Sequence, residues 1–288
     1  METKFELGVN NIFYINLDRS PKRNASFLKE FENFKETPIR IPAIDGLNHE
    51  KDKHIEYDKS YSYLVQACAY SHITAIIKAY NMGLNEVIIL EDDARFEYFK
   101  FWKKTLRTII DSAPKDMEAI LLSTSNIQTI IKEKKQFVPW HPNHWGTFSY
   151  YITRKGMEKI LNIYYKYNEE RKLYTLKLRR VAPSISNPAL LAAENCLYTV
   201  VKTYTYTKPL INYYDFKSDI HTNHRIMHVE ALLEFKKYFY ELIDKNDVNT
   251  KEMQKREIDY FNIVIKRLKQ KEEEENLKKF ISNLSLKV

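Results

Sequence analysis

Residues 87–96, VIILEDDARF, run from four apolar residues, Val87 to Leu90, straight into three carboxylates, Glu91, Asp92 and Asp93. The length and β-branched content of the run predict a buried strand, parallel to its neighbours in an α/β sheet. Carboxylates crowded at the end of such a strand repel one another and cost free energy unless a cation neutralises them. Ligands of open α/β sheets bind beyond the carboxyl ends of the strands, which is where these acids fall. All-oxygen ligands suit Mg²⁺ or Mn²⁺ rather than zinc. The competing reading is a solvated acidic turn, which so apolar a strand disfavours.

On either side of this stretch the pattern alternates between strands and helices. NNIFYINLDRSPKRNASFLKEF (10–31) reads as strand, turn and helix, with Ile12 to Leu17 as the strand, Ser20 as N-cap and Pro21 at the first helical position. PIRIPAIDG (38–46) is a second strand ending in an Asp45-Gly46 turn. An amphipathic helix is predicted over 61–82, with Val65, Ala69, Ile73, Ile76 and Tyr80 on one stripe. Beyond the acids, a helix is expected over 98–111, a strand over 117–123, a strand over 147–153 with a helix from 154, and a strand over 197–207. Such alternation implies a mostly parallel sheet with helices on both faces. From about Arg225 the character changes to two charged amphipathic helices, 226–244 and 250–275. The chain therefore divides into an α/β domain, 1–224, and a C-terminal helical extension, 225–288.

Composition narrows the function classes. No apolar run approaches the roughly 20 residues of a membrane span, and the first ten residues lack a signal-peptide core. Two cysteines, Cys68 and Cys196, are too few for a disulfide framework and fit a reducing compartment, so the expected location is cytoplasmic, with peripheral membrane attachment still open. The net charge of +8 arises from 46 basic against 38 acidic residues, a mixed surface that speaks against nucleic acid as a partner. Only five glycines are present, and neither G-x-G-x-x-G nor a P-loop can be built from them. A nucleotide bound here would have its phosphates held by a metal and basic side chains instead of a glycine cradle.

Other residues carry candidate chemistry. Asn16, Asp18, Arg19 and Arg23 follow the first strand at the same sheet edge as the acids; Asn and Asp could read a base or ribose, and Arg could pair with a diphosphate. Turn and cap chemistry accounts for them equally well. Asp45 raises the same question at its own strand end, and His72 lies on the helix preceding the acidic strand. In HPNHWGT (141–147) the flat face of Trp145 suits the apolar side of a pyranose, or the ring is core. SDIHTNH (218–224) offers Asp219, His221 and His224 without a cysteine, which argues against a structural zinc site.

Taken in order, IFYINLDRSPKRN, IPAIDG, CAYSHITAI, VIILEDDA, WGTFSYYITRKG and KSDI resemble glycosyltransferase family 25 over about residues 9–220. The resemblance implies a GT-A fold, a UDP-sugar donor (most often UDP-galactose), Mn²⁺ and inversion at the anomeric carbon. On that basis Glu91, Asp92 and Asp93 form the metal-binding motif, Asp93 as the direct ligand with Glu91, and His221 could complete the metal shell. Asn16, Leu17, Asp18, Arg19 and Arg23 fall on the nucleotide side with Asp92, joined by Asp45-Gly46 and Ser71-His72, while Trp145-Gly146 fall near the sugar. Where the family commonly has a valine–aspartate pair, this chain has LAAENCLYTV, which puts Glu194 in the place of the catalytic base, with Asp219 as the alternative. The acceptor implied is a glycan or a protein hydroxyl, and a homodimer through the C-terminal helices is open. Two rival readings share the acidic cluster, a metal-dependent phosphoesterase or nuclease and an inactive transferase-fold module.

Overall fold

The computed structural model describes residues 4–179, 191–214, 225–243 and 248–285. Strand β1 (Ile12–Asn16) is followed by helix α1 (Pro21–Glu30), with proline in its first turn, where the missing amide would have had no partner. Ser20 occupies the N-cap position but makes no side-chain cap hydrogen bond. Next come β2 (Ile39–Pro42), β3 (Ile55–Glu56), α2 (Tyr63–Asn81), β4 (Glu86–Glu91) and β5 (Ala94–Arg95). The chain continues through α3 (Leu106–Asp111), β6 (Ala119–Leu121), β7 (Phe137–Pro139), β8 (Ser149–Thr153) and α4 (Arg154–Tyr164). After β9 (Tyr165–Asn168) and β10 (Leu173–Lys177) follow α5 (Ala193–Tyr198), β11 (Thr203–Tyr206) and β12 (Asn212–Tyr213).

The main sheet has seven strands in the order β2-β1-β4-β8-β6-β11-β7. β1 is parallel to β2 and β4, and β6 is parallel to β11, whereas β8 is antiparallel to both β4 and β6, and β7 is antiparallel to β11. Five strands therefore share one direction. Both faces are covered, which explains why the strands read as unbroken apolar runs instead of alternating ones. Phe13, Ile15, Val87, Ile89, Tyr150 and Ile152 face a core shared with α2, α4 and α5. On the other face Tyr14 stacks on Phe27 of α1 at 4.4 Å, and Phe27 begins an aromatic chain through Phe31, Phe34 and Phe96. This is an α/β, mostly parallel, GT-A-like sheet flanked by helices.

Two element expectations are corrected. The strand expected over 197–207 begins only at Thr203, because Leu197 and Tyr198 are buried as the last turn of α5, which packs on α2. Tertiary burial outweighs the modest strand preference of these residues. The helix expected over 98–111 is broken: Phe99–Phe101 form a 3₁₀ turn whose Phe99 packs edge-on against Phe5 and Phe34. A new helix begins when Thr105 accepts a hydrogen bond from the Thr108 amide. The strand expected over 147–153 is present at Ser149–Thr153 and runs antiparallel to both of its neighbours.

The chain divides into two compact units, Met1–Tyr214 and Asp215–Val288. In the second, α6 (Arg225–Leu242) lies alongside α7 (Val248–Ser285), tied by Lys236–Glu257 and Lys269–Glu230 ion pairs. Among the described residues no helix is long and apolar enough to cross a membrane.

Candidate active site

Sheet direction gathers the site. β1, β2 and β4 are parallel, so their carboxyl ends bring Asn16–Arg19, Asp45 and Glu91–Asp93 to one edge, with Ile15 in register with Glu91 and Asn16 with Pro42. β8 is antiparallel, so the residues before it arrive at that same edge. Ser149 pairs with Leu90, which sets Trp145, Gly146 and Thr147 beside the acids.

The three acids have three different surroundings. Asp92 is buried and turned toward α1: Asn16 Nδ2 donates to its Oδ2 at 2.6 Å and Arg23 Nε donates to its Oδ1 at 2.9 Å. Burial raises its carboxyl above the ordinary value, with the Arg23 guanidinium and the Asn16 amide opposing that rise. Glu91 accepts a hydrogen bond from Thr147 Oγ1 at 2.6 Å, and its Oε1 lies 3.3 Å from His72 Nε2. Burial would raise the Glu91 carboxyl, but the His72 ring, the Thr147 hydroxyl and Arg23 outweigh burial and hold it low. Asp93 has the opposite balance. Burial and the neighbouring Glu91 charge push its carboxyl up to about 7, with Arg23, 3.6 Å away, and Arg95 pulling the other way. Its Oδ1 is buried and meets no hydrogen-bond donor among the described residues.

That orphaned oxygen beside a second carboxylate fits a divalent cation. Unrelieved, two anions here cost free energy, and a hard metal with oxygen ligands removes the cost. Asp92 is not in a position to contribute, since both of its oxygens are already engaged.

The remaining candidates build the walls. Arg40 ties the first loop together, donating to Asn16 Oδ1 at 3.0 Å and to Asp18 Oδ1 at 2.6 Å. Arg19 pairs with Asp45 at 3.1 Å, and Asp45 also accepts from the Leu47 amide and the Asn48 side chain. Against burial, those three contacts hold the Asp45 carboxyl below its ordinary value. Leu17 lies in the Asn16–Arg19 loop; its carbonyl accepts from the Ser20 amide at 2.9 Å. Gly46 lies against the start of α2, and a Cβ there would meet Leu64 Cα and Tyr63 O at 2.8 Å. Ser71 Oγ accepts from the Ile44 amide at 2.8 Å and so fastens the Asp45 loop to α2, while His72 is buried just beneath Glu91. Trp145 is 42% exposed and is therefore not core. Gly146 has φ +111°, a conformation that strains any residue with a side chain, and it turns the chain from Trp145 into Thr147.

Glu194 stands half-buried in the first turn of α5. Burial raises its carboxyl; Glu91 adds to that rise and His72 opposes it, so Glu194 shares the electrostatic surroundings of the acidic edge. Asp219 and His221 lie outside the described residues.

Sequence reasoning passed over Thr147, Tyr150, Arg40 and Cys68. Thr147 follows the Trp-Gly pair directly, which was its one available signal. Arg40 and Tyr150 read as ordinary strand residues, and only the pairing of strands brings them to the site.

Residues 9–175 match the family model described as Glycosyltransferase family 25 (LPS biosynthesis protein). The chain belongs to glycosyltransferase family 25. Among curated relatives, this family 25 chain is 28% identical over 181 residues to a "Glycosyltransferase 25 family member" of Aedes aegypti, covering 55% of the chain and 29% of the relative. It is 32% identical over 180 residues to the protein of that name in Drosophila pseudoobscura pseudoobscura, covering 55% and 28%. It is 28% identical over 179 residues to "Procollagen galactosyltransferase 2" of Homo sapiens, covering 54% and 28%. The match thus spans less than a third of each relative's length. The family-model match includes every candidate from Asn16 to Gly146 and stops before Glu194.

Proposed function

We propose that this chain is an inverting, metal-dependent glycosyltransferase that moves a hexose, galactose in the first instance, from a UDP-sugar to a hydroxyl of a glycan or glycoprotein. The observation that carries the reading is Asp93 Oδ1, buried beside Glu91 without a donor among the described residues, at the sheet edge where an α/β fold binds its ligands. Asp93 and Glu91 would hold Mn²⁺ or Mg²⁺. When bound, the ion supplies Lewis-acid stabilisation of the charge that grows on the departing diphosphate.

The chain's own residues do the rest. Arg23 and Asn16 fix Asp92 and with it the turn that presents Asp93. The Asn16–Arg19 loop, braced by Arg40 and by the Arg19–Asp45 pair, forms the nucleotide side. Trp145 offers an exposed ring for the apolar face of the sugar. Glu194 removes the proton of the acceptor hydroxyl; a carboxyl raised by burial and by Glu91 is the more basic for it. The galactose assignment and the protein-hydroxyl acceptor draw on the name of the human relative.

The test is UDP release from UDP-galactose, UDP-glucose and other UDP-sugars, with Mn²⁺ and with EDTA, in the native chain and in Asp93→Asn. Release that needs Mn²⁺ and collapses in Asp93→Asn is expected. Equal release in EDTA, or full activity of Asp93→Asn, rules the reading out.

A further inference from the structure

Helix α2 and the end of β4 hold a second set of ligand-type side chains, of a different chemical kind from the Glu91–Asp93 pair. Cys68 and His72 are four residues apart on α2, so their side chains lie one above the other on the same helix face. That face meets the end of β4, and one donor atom from each of Cys68, His72 and Glu91 falls within 4.8 Å of the others. His72 is 1% exposed. Its Nδ1 lies 3.3 Å from the Tyr150 hydroxyl, while its Nε2 faces Glu91 Oε1 at 3.3 Å without making a hydrogen bond.

A buried imidazole nitrogen without a hydrogen bond costs free energy, and it calls for a reason. Nε2 stands 3.3 Å from Glu91 Oε1, so the imidazole and the carboxylate already present their atoms to one point, and a cation bound there displaces the proton between them. Holding one ring nitrogen by an outer partner while the other binds is how proteins orient a metal-ligating histidine.

We propose that Cys68, His72 and Glu91 form a three-ligand site for a borderline-soft divalent cation of the zinc class, distinct from the hard-cation position at Asp93 but sharing the Glu91 carboxylate. The donor set decides the class. Thiolate and imidazole favour Zn²⁺ over Mn²⁺ and Mg²⁺, both by softness and by the Irving–Williams order. With bonds of about 2.0–2.3 Å, donor atoms in a tetrahedral zinc site stand roughly 3.5 Å apart, so side-chain rotations of modest size close this cluster on an ion. Three protein ligands leave a fourth position for water, which the half-buried Cys68 and Glu91 can admit. One consequence rests on the function proposed above: zinc here draws Glu91 away from Asp93 and so opposes Mn²⁺ in catalysis. The binding itself does not depend on that function.

The experiment uses the full chain, stripped with chelator and titrated with Zn²⁺ against a chromophoric chelator, with Co²⁺ as a spectroscopic probe. One equivalent of tightly held Zn²⁺ is expected, together with a near-ultraviolet thiolate-to-cobalt absorption. Cys68→Ala should remove that absorption and weaken Zn²⁺ binding at least tenfold, as should Cys68→Ser, which keeps the side chain's size. Asp93→Asn should retain both signals while losing Mn²⁺-dependent turnover, which separates this site from the catalytic one. Absence of the cobalt–thiolate absorption in the native chain, or its persistence in both Cys68 variants, overturns the proposal. So does an unchanged Zn²⁺ affinity in those variants.

Discussion

Arg23 and Asp92 form an ion pair beneath the acidic edge, in which Arg23 Nε donates to Asp92 Oδ1 at 2.9 Å and a second guanidinium nitrogen reaches the same oxygen. Asn16 occupies the other carboxylate oxygen at 2.6 Å. The middle acid of the triplet therefore anchors α1 to the end of β4, and Glu91 and Asp93 are left to meet a ligand.

Removing Asp92 takes away the carboxylate that accepts from two Arg23 nitrogens and leaves Arg23 facing Asp93 at 3.6 Å. Asp92→Ala should lower unfolding stability by about 2 kcal/mol in urea titrations, the loss of charge-assisted hydrogen bonds from Arg23 and Asn16. Asp93→Asn, measured in EDTA, should leave stability unchanged or raise it, because it removes a repelled carboxylate. Equal losses in the two variants would show that Asp92 has no special anchoring role.

Glu194→Gln keeps size and hydrogen-bonding capacity but cannot take a proton. A positioned base contributes roughly 10²–10⁴-fold, so kcat should fall by about that factor while Mn²⁺ and donor binding survive. Loss of donor binding instead would move Glu194 to the sugar or metal contacts, and near-normal turnover would exclude it as the base.

Gly46→Ala should disturb the nucleotide side through the backbone. Its new Cβ would press on Leu64 Cα and Tyr63 O at 2.8 Å, and neither atom can swing aside as a side-chain tip would. Overpacking of this kind costs about 1–3 kcal/mol. The Asp45 loop must shift to relieve it, so KM for the donor should rise. A variant with native melting temperature and native KM would contradict this account.

Glu118 gives the pH dependence of stability. It is buried beneath α4, with Lys159 and Lys155 at 2.7 and 2.9 Å and the Lys202 amide at 2.9 Å. Burial alone would raise its carboxyl, but Lys159, the Lys202 amide and Lys155 outweigh it and hold the value at about 2 against an ordinary 4.5. A depressed folded value means that the stabilisation is full above pH 4.5 and is lost as pH falls toward 2. The lysines are partly exposed and screened, so Glu118→Gln should cost about 2 kcal/mol at pH 7. That difference should vanish near pH 2 in paired denaturation curves.

Much of the site was legible because its signals are local. Val87–Leu90 followed by three acids needs no partner to be read as a strand with a charged end, and Pro21 marks the start of α1 by its missing amide alone. The helix carrying Cys68 and His72 shows in its own 3.6-residue period. Tertiary structure decided what depends on partners distant in the chain. β8 runs antiparallel because of the strands it lies between, and that reversal, invisible in SYYIT, sets Trp145 and Thr147 beside Glu91. Leu197 and Tyr198 are helical because α2 buries them, against the strand preference of LYTVV. Three adjacent acids of nearly equal chemistry become an anchor (Asp92), a partner of His72 and Thr147 (Glu91) and a carboxylate awaiting a cation (Asp93). Sequence spacing cannot distinguish them, because burial and contacts with Arg23 and His72, both distant in the chain, set their energies.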